Sequence, residues 1–177
     1  MGAQPSTAQN AFGYEARRGT PQAGASLTYS QHIVRVDDAE ALAAWTATLA
    51  RGFGEGEREA RWVGAMYARI GLDDDRWHHY LGLLDGEPVA TASLFVGAGA
   101  AGIYFVFTVP EARRQGIGGA ITVAALRRAR DLGLRVGVLG SSAMGHSVYL
   151  RLGFREHCRI GVYEWRSPGR RTPTAVP

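Results

Sequence analysis

The segment RRQGIGG, from Arg113 to Gly119, joins a continuous apolar run to a long segment rich in Ala, Leu and Arg. Glycines at a strand-to-helix junction let the backbone approach a ligand closely, and the N–H groups that open a helix carry partial positive charge. The spacing therefore predicts a binding site for a phosphate or diphosphate. A glycine-rich helix start that serves packing alone stays open as an alternative.

Two common nucleotide motifs do not fit this segment. The dinucleotide fingerprint G-x-G-x-x-G fails because Ile121 stands where the third glycine belongs, and no acidic residue closes a second strand about 20 residues further on. A phosphate loop of the Walker type needs a lysine, but all 20 cationic side chains of the 177-residue chain are Arg. The same lack of lysine excludes Schiff-base catalysis.

The cysteine count and the charge limit the partners. A single cysteine, Cys158, excludes an intramolecular disulfide framework and a multi-cysteine metal site, so we expect no metal and a reducing, cytoplasmic location. As an acyl-carrying nucleophile, Cys158 would need an activating partner that the sequence does not show. The net charge is only +4, and the densest arginine clusters flank one predicted helix. They suit a small polyanion better than a nucleic acid.

The elements needed to position the glycine turn follow from periodicity. No apolar run reaches the ~20 residues that cross a membrane, so we expect no membrane partner. We predict a disordered leader over residues 1–26, a single domain over 27–166 and a disordered tail over 167–177. Within the domain the predicted order is β-α-α-β-β-β-α-β-α-β. The fold class is α/β (α+β), with a mixed, mostly antiparallel sheet flanked by helices on both faces.

Particular segments carry this prediction. The stretch 27–36 alternates like a strand, and the next helix presents a stripe of Leu42, Trp45 and Leu49. A second helix has Trp62, Met66 and Ile70 at helical spacing. The dipeptide Asp85-Gly86 is typical of the turn of a hairpin. The apolar run GIYFVFTV, residues 102–109, is typical of a strand buried on both faces.

Two motifs on these elements resemble one enzyme family. The run VPEARRQGIGGA resembles the signature R/Q-x-x-G-x-G/A of the GCN5-related N-acetyltransferases, with Arg113, Gly116 and Gly118 in the motif positions. Downstream, SVYLRLGF resembles the family's "aliphatic-Tyr-x-x-x-Gly-Phe" element, with Tyr149, Gly153 and Phe154 in register. The resemblance covers about residues 28–166 and extends to actinobacterial members of unassigned substrate.

The resemblance implies acetyl-CoA as cosubstrate and assigns its binding groups. The strand backbone of Phe107, Thr108 and Val109 would hold the pantetheine arm and polarise the thioester carbonyl. The family often has Asn seven residues before the tyrosine. Here that residue is Ser142, which would donate to a cofactor carbonyl with less reach. The diphosphate would lie on the motif's Arg113 and on the backbone N–H groups of Arg114, Gln115, Gly116, Ile117, Gly118, Gly119 and Ala120.

The proton chemistry is only partly assigned. Tyr149 matches the family's general acid, since a phenol with a pKa near 10 can protonate a departing thiolate in a dry site. The alternative is that Tyr149 merely packs or hydrogen-bonds to the cofactor sulfur. Similar sequences often carry a polar residue where Phe105 stands.

The general base is a gap, because the apolar strand carries neither an acid nor a histidine. Glu111 follows Pro110 and is expected to be solvated, and His146 either faces the cleft or caps its helix. His78 and His79 alternate faces, so at most one is expected to point inward. A water relay or prior deprotonation of the amine is equally open.

The resulting hypothesis is a cytoplasmic, acetyl-CoA-dependent N-acetyltransferase that transfers acetyl directly to a primary amine of a small molecule. An alternative acceptor is a protein N-terminus or lysine. The alternative class is a non-catalytic acyl-CoA-binding or sensing module. Members of the family are often dimers, so the resemblance also allows a homodimer.

Overall fold

The computed structural model describes residues 4–15, 31–52 and 57–164. It confirms the predicted fold class: one seven-stranded, mostly antiparallel sheet with α1 and α2 against one face and α3 against the other. No helix in the described ranges is long and apolar enough to cross a membrane. In chain order the elements are β1 (Gln4–Glu15), β2 (Gln31–Arg35), α1 (Ala39–Gly52), α2 (Glu57–Ile70), β3 (Trp77–Leu84), β4 (Glu87–Gly97), β5 (Ala100–Thr108), a 3₁₀ turn (Pro110–Ala112), α3 (Ile117–Asp131), β6 (Val136–Ser141), α4 (His146–Arg151) and β7 (Arg155–Glu164).

The N-terminal segment differs from the predicted disordered leader. Residues 4–15 form β1, which lies between β6 and β7 in the sheet order β2-β3-β4-β5-β6-β1-β7. Phe12 is buried in the core, and Tyr14, two residues later, packs against the same cluster. This alternation of two aromatic residues within a polar segment is what recruits the strand. Residues 27–30 and the predicted tail, 167–177, lie outside the described residues.

A bulge in β5 opens the sheet between β5 and β6. The two strands pair in parallel only from Ala100↔Val136 to Ile103↔Leu139. Two β5 residues, Phe105 and Val106, then oppose one residue of β4, and Phe105 has a φ of 51°. Such a bulge bends its strand. Beyond Ile103, β5 therefore follows β4 alone and leaves a wedge beside β6.

Two apolar cores cover the two faces of the sheet. The predicted stripe of α1 is confirmed, since Leu42, Trp45 and Leu49 are buried. The stripe predicted for α2 is wrong: Trp62 is 68% exposed, while the buried residues of α2 are Ala60, Val63, Gly64 and Tyr67. The small residues decide this, because a Cβ at Gly64 would collide with Thr46 of α1. The close contact between α1 and α2 therefore decides which face of α2 is buried, although larger apolar side chains lie elsewhere on the helix.

Both neighbouring histidines of β3 are buried, each 2% exposed, which contradicts the expectation that at most one points inward. They alternate faces as predicted, but helices cover both faces of the sheet here. His79 lies among the rings of Trp45, Tyr67 and Trp77, with its Nδ1 2.7 Å from Ser93 Oγ. Burial lowers the pKa of His79 to about 4 and, as the largest cause, also lowers the pKa of His78.

These lowered pKa values predict an acid-sensitive fold. A histidine in the unfolded chain has a pKa near 6.5, so the unfolded state binds more protons than the folded state between about pH 6.5 and pH 4. Stability therefore falls as the pH falls, and His79 alone removes about 2 kcal/mol between pH 7 and pH 5. Urea unfolding at the two pH values measures this loss.

Substituting His79 isolates its contribution to the pH dependence of stability. His79→Gln is expected to shrink the pH-dependent loss by about 2 kcal/mol relative to the parent chain. An equal loss in the parent and in His79→Gln would contradict the assignment.

Candidate active site

The end of β5 directs alternate backbone groups into the wedge. The N–H of Val109 donates to the Val89 carbonyl at 2.9 Å, and the Val109 carbonyl accepts from the Ala112 N–H at 3.0 Å. Both backbone groups of Val109 are therefore engaged within the fold, and its role in holding the pantetheine arm stays a prediction. Because antiparallel ladders alternate, Phe107 also faces β4, whereas the backbone of Thr108 faces the wedge.

Arg113 connects the glycine turn to this strand end. Its Nε donates to the Thr108 carbonyl at 3.0 Å, and its N–H donates to the Pro110 carbonyl at 3.3 Å. The first arginine of the motif thus fixes the path of the backbone between β5 and α3. A contact from its guanidinium to a ligand would be additional to this role.

The glycine turn itself has the backbone conformation that glycine favours. Arg114 and Gly116 have φ values of 64° and 81°, and Gly116 caps α3 without a side-chain hydrogen bond. Gln115 is exposed in the turn, while the buried side chain of Ile117 anchors the first helical turn in the core. The N–H of Ala120 donates to the Gly116 carbonyl at 3.0 Å. The Ala120 N–H therefore already has a partner within α3, and its predicted contact with a diphosphate stays a prediction.

The two glycines that follow keep neighbouring elements close to the turn. A Cβ at Gly118 would lie 3.4 Å from Thr108 Oγ1, and a Cβ at Gly119 would lie 3.7 Å from Val148 of α4. Open N–H groups of a helix start, beside glycines without side chains, form a cradle that fits a diphosphate. The turn thus meets both the strand end and the helix that carries Tyr149.

Tyr149 lies at the inner side of α4, only 7% exposed. Its ring contacts Phe12 of β1 and Phe154, with centroids 6.1 and 5.8 Å away. A Cβ at Gly145 would lie 2.9 Å from the Tyr149 ring and 3.0 Å from Ser141 Oγ, so the ring stands beside the end of β6. Burial raises the pKa of Tyr149 to about 12, which keeps its phenol protonated at neutral pH.

Ser142 stands where β6 leads into α4. Its carbonyl accepts from the N–H groups of Gly145 and His146, at 3.1 and 3.2 Å, and from the Ser141 hydroxyl at 2.8 Å. Its own hydroxyl oxygen accepts from the Gly145 N–H at 3.4 Å. Ser142 therefore shapes the turn that positions α4, and the residue is exposed.

The candidate bases are engaged elsewhere. Glu111 is exposed and paired with Arg51, and its pKa is lowered, first by its own backbone N–H and then by Arg51. His146 places Nε2 2.9 Å from Glu156 Oε2 and its ring edge-on to Phe12. Cys158 is exposed on β7, opposite Ala11. Within the described residues, no group of three or more His, Cys, Asp or Glu could hold a metal ion.

Three contributors to the site were missed from the sequence. Thr91 donates its hydroxyl to the Phe105 carbonyl at 2.8 Å and so supports the bulge. Arg51 donates to the Pro88 carbonyl at 3.2 Å and to Glu111, which ties the end of α1 to the segment after β5. Phe12 forms the wall behind Tyr149. Only Phe12 had a signal, the short aromatic alternation with Tyr14.

Comparison with known proteins agrees with this geometry. A model described as the acetyltransferase (GNAT) family matches residues 39–154. The chain belongs to the acetyltransferase (GNAT) family. The matched range contains the glycine turn, the wedge and Tyr149, and the resemblance predicted from two motifs is confirmed. A search of curated proteins found no match.

Solved structures share the GNAT fold at low identity. A GCN5-related N-acetyltransferase from Kribbella flavida is 21% identical, with a TM-score of 0.66 over 88% of this chain and 56% of that chain. One from Sphaerobacter thermophilus is 19% identical, with a TM-score of 0.71 over 89% and 51%. An aminoglycoside N-acetyltransferase, AAC(6')-Iy, in complex with CoA is 19% identical, with a TM-score of 0.61 over 77% and 95%. The chain thus spans little more than half the length of the first two.

Matched glycine substitutions test the cradle. Gly116 and Gly99 both have positive φ, 81° and 73°, and a Cβ at either would meet open space. Alanine at either position is expected to cost about 1 kcal/mol in the free energy of unfolding because of strain. Gly116→Ala alone is expected to weaken CoA binding, by about tenfold or more in isothermal titration calorimetry. Equal CoA affinity of the two variants would contradict the cradle.

Proposed function

We propose that this GNAT family member is an acetyl-CoA-dependent enzyme that transfers acetyl directly to a primary amine of a small molecule. One observation supports the proposal: the glycine turn lies against the end of β5 through Gly118 and against α4, the helix that carries the buried Tyr149, through Gly119. Acyl transfer from a thioester needs a held phosphate arm, a carbonyl-polarising donor and a proton donor. The chain offers a group for each of these.

The backbone supplies binding and polarisation. The N–H groups of Arg114, Gln115, Gly116, Ile117, Gly118 and Gly119 would hold the diphosphate, assisted by the partial positive charge of the α3 start. Acetyl-CoA, when bound, supplies an activated acyl carbon. The Thr108 N–H faces the wedge and would donate to the pantetheine arm or the thioester carbonyl. A donor to a developing oxyanion lowers an acyl-transfer barrier by ~3 kcal/mol.

Tyr149 would assist the departure of the thiolate as a hydrogen-bond donor. A thiol has a pKa near 8.5, whereas burial raises the phenol pKa to about 12, so complete proton transfer to the thiolate is uphill. Tyr149 would therefore donate a hydrogen bond to the charge that develops on sulfur as the C–S bond breaks, and the departing thiolate would take its proton from water. This role needs the phenol to be protonated, which its raised pKa ensures at physiological pH.

We assign no side chain as general base. Glu111 is paired with Arg51, and His146 with Glu156, so each has a partner other than an incoming amine. The amine would arrive neutral or release its proton to water. Support for a small-molecule acceptor comes from the structural neighbour AAC(6')-Iy, which is also known in complex with the bisubstrate analogue CoA-S-monomethyl-acetylneamine.

Because Glu111 is paired with Arg51 and His146 with Glu156, a second candidate function is a non-catalytic acyl-CoA-binding module. Thioester consumption measured with DTNB over a panel of aminoglycosides, polyamines, amino acids and peptides separates the two. We expect turnover with at least one small amine. Tight CoA binding without turnover on any amine would overturn the enzyme proposal. Turnover confined to peptides would identify a protein acceptor.

Tyr149→Phe directly tests the proposed hydrogen bond from the Tyr149 hydroxyl to the departing sulfur. The substitution keeps the ring contacts with Phe12 and Phe154 and removes only the hydroxyl. We expect kcat to fall by about 100-fold, with little change in the KM for acetyl-CoA. Tyr14→Phe, which also removes one hydroxyl near Phe154, is expected to leave kcat unchanged. An unchanged kcat in Tyr149→Phe would show that Tyr149 only packs.

A further inference from the structure

One face of the sheet exposes apolar side chains beside the wedge. α1 packs against β3, β4 and β5, whereas Leu139 of β6 belongs to the core on the α3 side. Because side chains alternate along a strand, Val136 and Val138 of β6 lie on the α1–α2 face of the sheet, where they are 42% and 41% exposed. The apolar surface of this face therefore continues from β5 onto β6.

Tyr104 lies on the same face at the base of the wedge. It is the first residue of β5 after Ile103, the last residue of β5 to pair with β6. It opposes Ser93 of β4, whose hydroxyl lies 2.7 Å from His79 on the α1–α2 side. Tyr104 is 46% exposed, and after burial it is the second cause that raises the pKa of Tyr67 of α2. Its ring therefore borders the wedge on the side of α1 and α2.

Three aromatic rings, here called the aromatic platform, run across this face from β3 to β5: Trp77, Phe95 and Tyr104. The centroid of the Trp77 ring lies 4.7 Å from that of Phe95 and 6.0 Å from that of Tyr104. Glycines make room for two of the rings. A Cβ at Gly97 would lie 2.7 Å from Phe95 Cε1, and a Cβ at Gly102 would lie 2.6 Å from Tyr104 Cε2. The rings therefore lie down over the strands and are held by packing.

The face that carries the aromatic platform is the one left for the acceptor. The glycine turn opens α3, and Tyr149 packs in the core on the α3 side of the sheet. Acetyl-CoA held by these groups would occupy that side of the wedge. An amine that attacks the acetyl carbon needs the space opposite, which opens toward α1 and α2. The aromatic platform begins at that opening.

The distance to the opening limits the shape of the amine. Four residue steps of β5 separate Thr108 from Tyr104, at most about 13 Å. A chain of up to about ten bonds spans this distance. Beyond the end of β5, Arg51 and Glu111 are paired with each other, so this pair offers no free carboxylate to a second ammonium group. Aromatic rings, by contrast, present a large rigid surface to an apolar group.

We propose that the aromatic platform and Val138 bind the apolar group of the acceptor, which is a primary amine with an alkyl or aryl-alkyl chain. The inference rests on the proposed acetyl transfer to a small amine and names the class of that amine. In the transfer the nitrogen bonds to the acetyl carbon and the C–S bond breaks. The surplus proton of the nitrogen passes to water, and the thiolate takes a proton from water. The aromatic platform holds the chain during these steps.

A homologous series of amines tests the class. From ethylamine to octylamine, kcat/KM measured with DTNB is expected to rise about two- to fourfold with each CH₂ that leaves water on the aromatic platform. Neamine and spermidine provide the hydrophilic comparison and are expected to fall below octylamine. A series without a rise, or a higher kcat/KM for neamine or spermidine, would overturn the inference. The proposed enzyme function would then still stand.

Substitutions on the exposed face locate the binding surface. Tyr104→Ala is expected to raise the KM for octylamine by about tenfold, with the KM for acetyl-CoA unchanged. Val138→Thr, which replaces a methyl group by a hydroxyl of similar size, is expected to raise it by about threefold. Trp62→Ala, at an exposed ring on the solvent side of α2, is the matched control and is expected to change neither KM.

The outcomes of these substitutions are decisive in either direction. An octylamine KM that is the same in Tyr104→Ala, Val138→Thr and Trp62→Ala would contradict the inference, and Val138→Thr alone decides it if Tyr104→Ala does not fold. Light scattering coupled to size exclusion identifies the other occupant of an apolar face, a second copy of the chain. Conversion of a dimer to a monomer by Tyr104→Ala, without a change in the octylamine KM, would overturn the inference.

A binding measurement separates this inference from the enzyme proposal. N,N-Dimethyloctylamine carries the chain but has no hydrogen on its neutral nitrogen, so it cannot give a stable amide. In calorimetry with the CoA complex it is expected to bind about tenfold or more tightly than N,N-dimethylethylamine, and Tyr104→Ala is expected to remove the difference. This result without turnover on any amine would overturn only the enzyme proposal. Equal affinity of the two amines would overturn the binding surface.

Discussion

The separation of β5 from β6 is the constraint on which the rest of the molecule depends. One extra residue at Phe105 and Val106 turns β5 away from its parallel neighbour. The Thr91 hydroxyl holds that bulge, and the Phe105 ring packs against Trp45 and Tyr67 on the α1–α2 side. A sheet that remained fully paired would have no opening and would direct no backbone donor toward a ligand.

The glycine turn and Tyr149 depend on that opening in different ways. Arg113 anchors the turn to the carbonyl of Thr108, the residue that faces the wedge. Tyr149 reaches the same region from α4, which Gly119 approaches from the turn. The groups proposed to bind the cofactor are thus backbone atoms fixed by strand and helix geometry, whereas the proposed hydrogen-bond donor to sulfur is a side chain fixed by packing.

The sequence predicted most of this arrangement, for identifiable reasons. The glycine turn was recognisable because glycine at positive φ and a missing lysine are local properties. GIYFVFTV was recognisable as a strand, but its predicted burial on both faces is wrong for its second half, because Tyr104 is 46% exposed and residues 105–108 are only partly buried. The role of Val109 was not predictable, because the direction of a backbone N–H depends on register. The buried face of α2 was predicted wrongly because Gly64 permits close contact with α1, and the spacing of the apolar residues does not show this contact. β1 was missed because its neighbours are distant in sequence.

The burial of Tyr149 links folding and chemistry. Its ring rests between Phe12, near the start of the chain, and Phe154, near the end of the described chain. The position of this ring therefore depends on contacts from both ends of the described chain. Removal of β1 would take away the Phe12 contact even if the central strands stayed paired.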